Sequence, residues 1–335
     1  MALGVLFKKA RFLNFERERE RERERGIMSE SLLMLPILSV NKNGDTVYKL
    51  NGKKHRFDGP AVERKNGTKE WWVNGKPHRE KGPAKIFKNG KKEWWIDGDL
   101  KRIVEPNGDK FWFKRKQFHR DRAPAIKRAN GSEEWYQYGV CHRINGPAVS
   151  TADGATFWYS FGIFNREDGP AIERADGSKE WFQNGFCHRT DGPAREFADG
   201  SKDWLQNGQL HRLDGPAVEN ADGLKEWWVN GQLHRLNGPA VKMADGIKEW
   251  WVNGKRHRLD GPAKEKSDGT KEWFINGQRH RLDGPAVEKS NGTKEWFLCG
   301  KRVDEDDFEL FSKFDSYSES SSNENNFNSF NELIL

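Results

Sequence analysis

Nine histidines, each directly followed by arginine, are the side chains of this 335-residue chain best suited to chemistry. They are His55, His78, His119, His142, His188, His211, His234, His257 and His280. A neutral imidazole can bind a metal or carry a proton near neutral pH. Arg recurs at Arg56, Arg79, Arg102, Arg120, Arg143, Arg166, Arg189, Arg212, Arg235, Arg258 and Arg281, and Lys101 and Asn165 stand where two units lack His. Metal binding fails on spacing. Equivalent residues of successive two-strand units lie about 10 Å apart, whereas zinc ligands sit within about 2.0–2.3 Å of the ion. No CxxC, HExxH or acidic cation loop supplements the row. Catalysis fails on uniqueness, because an active site is one constellation and nearly every polar residue here recurs in unit after unit. The glycines fall in turns, outside any strand–GxGxxG–helix context. No catalytic residue, metal or cofactor is expected, and the chain reads as non-enzymatic. An acid precedes a Trp at Glu70, Glu93, Glu134, Glu180, Asp203, Glu226, Glu249, Glu272 and Glu295. A structural ladder of Arg with these acids is expected, each exposed pair contributing about 0.2–1 kcal/mol.

The elements that position these side chains follow a 23-residue cycle. Trp71, Trp94, Trp112, Trp135, Trp158, Trp181, Trp204, Trp227, Trp250, Trp273 and Trp296 hold one place in it, and nine of the ten steps are 23 residues long. Trp94 to Trp112 is 18 residues, because the x-Asp-Gly-Pro-Ala turn is missing after Arg102. Such constant spacing is the mark of a stacked repeat array. Asn66-Gly67, Asn74-Gly75 and Gly59-Pro60-Ala61 show the three turn signals of a unit. Asn-Gly supplies the positive φ angles of two-residue hairpin loops. The six residues from Thr68 to Val73 suit one short strand, and no stretch between glycines is long enough for a stable helix. The fold class is all-β, an elongated array of tandem β-hairpins.

Within the strand, Trp71 and Val73 face one way, Glu70 and Trp72 the other. The invariant Trp place predicts a continuous buried ladder of indole on indole. The next place holds Trp72, Trp95, Phe113, Tyr136, Tyr159, Phe182, Leu205, Trp228, Trp251, Phe274 and Phe297. It is either a second buried face or an exposed aromatic stripe that docks a partner. Under the second alternative the contact residues are Trp72, Trp95, Trp228, Trp251 and Phe274, beside Arg212, Arg235 and Arg258.

Hydrophobic content of 34% and charged content of 33% argue against a thick core. Residues 1–27 carry +3, residues 303–335 carry −8, and the remainder +12. Basic repeats beside an acidic tail favour anionic partners, although Glu interleaves the Lys throughout. Cys141, Cys187 and Cys299 are read as free thiols in a reducing, cytoplasmic setting, since the first two lie two units apart, beyond disulfide reach. Four segments are expected. Residues 1–27 hold a low-complexity Glu-Arg tract, disordered or upstream of a start at Met28; 28–42 cap the array; 43–302 form it; 303–335 are a disordered acidic tail. Leu32 to Val40 is too short to span a bilayer.

Residues 43–302 resemble MORN repeats, as a divergent variant. The resemblance rests on the 23-residue period, and on Trp250, Asn253-Gly254, His257 and Gly261 or Trp71, Asn74-Gly75, His78 and Gly82. The chain has Arg directly after His where the family has Gly, and its aromatics are paired. The resemblance implies a twisted single sheet of successive hairpins acting as scaffold, dimerisation module or adaptor at acidic lipid surfaces. A non-enzymatic scaffold binding a protein partner or itself along one sheet face therefore leads. Peripheral binding to anionic, phosphoinositide-containing membranes comes second, with the corollary that protonation of exposed His strengthens it. Single-stranded nucleic acid comes last.

Overall fold

The structure, a computed structural model, describes residues 35–309. It is nearly all β, with 27 strands in one long antiparallel sheet in hairpin order and eight further two-stranded ribbons. The chain divides into two compact units, Met1–Ile163 and Phe164–Leu335, built on the same repeat.

Each repeat makes two hairpins instead of one. Val62–Glu63 pairs with Lys69–Glu70 in the long sheet, in register Val62↔Glu70 and Glu63↔Lys69. Trp72–Val73 then pairs with Lys76–Pro77 in a separate ribbon. Its turn is Asn74-Gly75, with φ of 50° and 80°, the left-handed pair that matches the twist of a hairpin. The expected six-residue strand is thus broken at Trp71. The Trp71 N–H donates to the Ala84 carbonyl at 2.7 Å, and its carbonyl accepts from the His78 N–H at 3.1 Å. One residue serves both hairpins, so the Trp place is a corner. Ribbons of neighbouring repeats are joined by the Gly75 N–H to the Lys54 carbonyl at 2.9 Å and the Arg56 N–H to the Trp72 carbonyl at 3.0 Å.

Burial is greatest on the alanine of Gly-Pro-Ala. Ala61, Ala84, Ala125, Ala148, Ala171, Ala194, Ala217, Ala240, Ala263 and Ala286 are all 0% exposed. Val62, Ile126, Ile172, Val218, Val241 and Val287 lie buried beside them. The eleven indoles are only half-buried, which corrects the expected buried spine. A guanidinium covers the indole instead: Arg79 lies 3.9 Å over Trp71, Arg212 4.0 Å over Trp204 and Arg281 4.0 Å over Trp273. In the N-terminal repeat Arg56 lies over Tyr48 in the same way, at 4.1 Å.

Unit 1 contains the one short repeat. Without the turn, Lys92–Ile96, Asp99–Val104 and Lys110–Lys114 pair directly as full strands. Arg102 is the register partner of both Trp94 and Trp112. That is the place alanine takes elsewhere, so deleting the loop pushes the closing arginine into the alanine position. The N-terminal cap also pairs here, with Ile37–Val40 along Thr46–Leu50. Unit 2 ends in Lys294–Leu298 with Lys301–Val303. A helical turn over 305–309 follows, with Phe308 buried, so the expected disordered tail starts with ordered residues. The Glu-Arg tract of 1–27 and residues 310–335 lie outside the described residues.

Candidate functional site: the arginine row

The closing arginines are held by three contacts, none of them the expected one. Arg56 stacks on Tyr48, donates through Nη1 to the Pro60 carbonyl at 3.3 Å, and through Nε to Asp58 at 2.8 Å. Arg166, Arg189, Arg212, Arg258 and Arg281 make the same bond to Asp168, Asp191, Asp214, Asp260 and Asp283, at 2.8 to 2.9 Å. A glutamate seven residues on completes the clamp, such as Glu219 on Arg212 at 3.1 Å and Glu288 on Arg281 at 2.8 Å. Hydrogen bonding and charge from the guanidinium hold these aspartates below the usual carboxylate range.

The acid before each Trp has other partners, which overturns the expected Arg ladder. Glu70, Glu93, Glu226 and Glu249 accept the indole N–H of Trp72, Trp95, Trp228 and Trp251 at 2.9 to 3.0 Å. Glu70 also receives Arg64 at 2.6 Å. For Glu249, burial works against ionisation, but Lys264 and Arg256 outweigh it and hold the carboxyl low.

Four successive arginines have no acid. Arg79, Arg102, Arg120 and Arg143 meet no carboxylate among the described residues, whereas Arg56 before them and Arg166 after them each meet two. Lys81, Arg122 and Asn145 stand in the aspartate place, and Ile86, Lys127 and Ser150 in the glutamate place. The stacking and the proline bond persist: Arg79 and Arg143 lie 3.9 Å over Trp71 and Trp135 and donate to Pro83 and Pro147 at 3.1 and 3.0 Å. Arg102 lies between Trp94 and Trp112, at 4.7 and 5.1 Å, and its buried Nε has no partner. Desolvation and the neighbouring Arg120 push its pKa down. In unit 2 Arg235 alone resembles them, with Asn237 and Lys242 in the acid places.

Charge follows the same division. Residues 79–145 hold 17 basic and nine acidic residues, a net of +8. Residues 146–302 hold 23 of each. The array is not evenly basic; its positive charge is confined to the part before residue 146. Arg115 and Lys116 add two cations at φ of 52° and 65°, in a turn that elsewhere uses glycine second. A positive φ in bulky residues is a costly conformation.

The histidines are structural. The Nδ1 of His55, His119, His234 and His257 accepts the backbone N–H of the turn residue nineteen positions on, at 3.1 to 3.2 Å. Asn165 does the same with its side-chain oxygen, at 2.8 Å to Asn184. Burial lowers the pKa of His280. Among the described residues no group of His, Cys, Asp and Glu is arranged to hold a metal ion.

Of the two alternatives for the second aromatic place, the burial found is nearer the buried face than the open stripe. Trp72, Trp95, Trp228 and Trp251 are half-buried with their N–H groups bound, and Phe274 is buried, as is Leu205. Lys54 covers Trp72 at 4.3 Å, and Arg256 covers Trp251 at 4.8 Å. Arg212 and Arg258 are clamped by acids; Arg235 is not. The exposed apolar row is one place further along, directly after Arg. Leu213, Leu236, Leu259 and Leu282 are 80%, 74%, 81% and 54% exposed. The signal was the 23-residue recurrence of leucine in a turn, where nothing requires an apolar residue.

No family model matches the chain, and no curated protein matches it in sequence. Among solved structures, it is similar to the TCP10 domain of Danio rerio CPAP in complex with a peptide of Danio rerio STIL. Identity is 14%, 80% of this chain and 97% of that chain are covered, and the TM-score is 0.17. The same domain in the structure without the peptide gives 14% identity, the same coverage and a TM-score of 0.13. Likeness at this level assigns neither family nor function.

Proposed function

We propose that the chain is a non-enzymatic repeat scaffold that holds a protein partner, a second copy of itself included, along one repeated face. The observation that carries this is the row of Leu213, Leu236, Leu259 and Leu282, exposed in four successive repeats. An exposed apolar residue repeated at the unit period offers a partner several equivalent anchors at once. The resemblance of the unit to MORN repeats agrees with this reading. So does a cytoplasmic setting, with three free thiols. No helix among the described residues is long and apolar enough to cross a membrane.

Replacing all four leucines by Ser tests the proposal, because none supports the core. Light scattering and pull-down should show the parent chain as an oligomer or with a bound protein, and the variant without it. Identical mass and identical captured proteins for parent and variant would sink the reading.

A further inference from the structure

We infer that Arg79, Arg120 and Arg143 form a binding site for an extended acidic polypeptide, whose carboxylates take the place of the aspartates this part of the row lacks. The inference goes beyond the scaffold reading and does not rest on the leucine row. Its strongest support is internal: six arginines show how a carboxylate sits on this guanidinium, on the Nε edge at 2.8 to 2.9 Å. In those repeats the aspartate is 80 to 85% exposed, 80% at Asp58 and 85% at Asp168, so the edge opens to solvent. Indole and proline carbonyl fix Arg79, Arg120 and Arg143 in the same pose. The fork is therefore preorganised and its Nε edge is left to a ligand.

Two features show that the vacancy is built in. Lys81 and Arg122 put a second cation where the carboxylate belongs. The loop itself also differs. In the acid-bearing repeats the loop glycine is not left-handed, and a Cβ on it would fall 2.7 to 3.1 Å from the arginine, close to the 3.0 Å at Gly146 beside Arg143. Ala123 occupies that position beside Arg120, so this loop cannot close as the others do. Gly82 and Gly146 are left-handed, at φ of 110° and 127°.

Spacing selects the ligand. Equivalent groups of successive two-strand repeats are about 10 Å apart, and a polyproline II chain has three residues per turn with a rise of about 3.1 Å per residue, so every third side chain can meet the next arginine. A carboxylate matches the internal precedent. The half-buried Arg102, whose Nε has no partner, adds a positive potential that favours an anion.

The test is fluorescence anisotropy of a labelled peptide of four Glu-Pro-Pro triplets, whose polyproline conformation puts all glutamates on one side. The protein is the full chain. Lys81→Asp, Asn145→Asp and Arg122→Asp with Ala123→Gly install the acids of the other repeats, and an unchanged circular dichroism spectrum certifies the fold. Affinity should fall about tenfold or more. Conversely, Asp191→Asn, Asp214→Asn and Asp260→Asn together should raise affinity for the same peptide. Equal binding by the acid-installed variant, or of a Gln-Pro-Pro peptide by the parent, overturns the inference. So does tighter binding of phosphatidylserine vesicles or of oligothymidylate at the same salt. None of these results touches the leucine row, so the scaffold proposal fails or stands separately.

Discussion

In residues 164–302, the guanidinium over each indole is closed off by an aspartate two residues on and a glutamate seven residues on, except at Arg235. At Arg79, Arg120 and Arg143, the same guanidinium sits on the same indole and proline carbonyl, with cations or neutral residues in both acid places. The two regions share the repeat, but they differ in charge and in the loop after the arginine, where Gly82 and Gly146 are left-handed and Ala123 replaces the glycine. The repeat tolerates the loss of charge because indole and carbonyl already fix the arginine. A position held by packing can be stripped of its counter-ion without losing its geometry.

The largest effect that would sharpen this comparison is on the core. Ala240→Leu places extra methylenes where exposure is 0%, and overpacking should cost about 1–3 kcal/mol, read as a lower denaturant midpoint. Arg102 holds the alanine place of the short repeat and its Nε has no partner, so Arg102→Met should be neutral or stabilising by about 1 kcal/mol, as removal of a desolvated unpaired charge often is. Arg212→Met, in contrast, leaves Asp214, Glu219 and the Pro216 carbonyl without their donor, and should destabilise by about 1 kcal/mol. If both arginines respond alike, the division between the regions is not energetic.

Acid offers a smaller, regional effect. The folded-state pKa values of Asp168, Asp191, Asp214, Asp260 and Asp283 lie below their ordinary 3.8. Their contribution is present in full above that value and is lost as pH falls through the lower folded-state values. Hydrogen exchange below pH 3.8 should therefore quicken in repeats 164–284 before it quickens in 79–125, where those pairs are missing. Simultaneous loss would break the comparison.

The smallest effect concerns His280, whose depressed pKa stabilises the fold above the ordinary 6.5 and is lost as pH falls through the folded value. His280→Asn keeps an acceptor, as Asn165 does, without titrating. The variant should lose less stability than the parent between pH 6.5 and 5 (a fraction of a kcal/mol), and equal pH profiles would count against the Nδ1 link.

Turns and period were legible in the sequence because they are local. Asn74-Gly75 needs left-handed angles whatever surrounds it, and so the ribbon turn was found. The corner at Trp71 was not legible, since Lys-Glu-Trp-Trp-Val alternates like one strand. Only pairing with Ala84 and His78, residues of the following segments, breaks it. The acid partner of arginine was misread for a similar reason. Asp58 lies in a loop that signalled a turn, while Glu70 lies in a strand that signalled a ladder. The unpaired stretch was present in the text as Lys81, Arg122 and Asn145. Its meaning depended on knowing which place the carboxylate fills.

The bonds that join ribbons run from Gly75 to Lys54 and from Arg56 to Trp72, about one repeat along the chain. All-β proteins usually fold slowly because distant segments must meet before any contact is rewarded. Here each closure spans a short, constant loop, so the entropic toll does not grow as repeats are added. Folding should start in any repeat and spread outward by successive attachment, at speeds nearer those of helical bundles than of sandwiches.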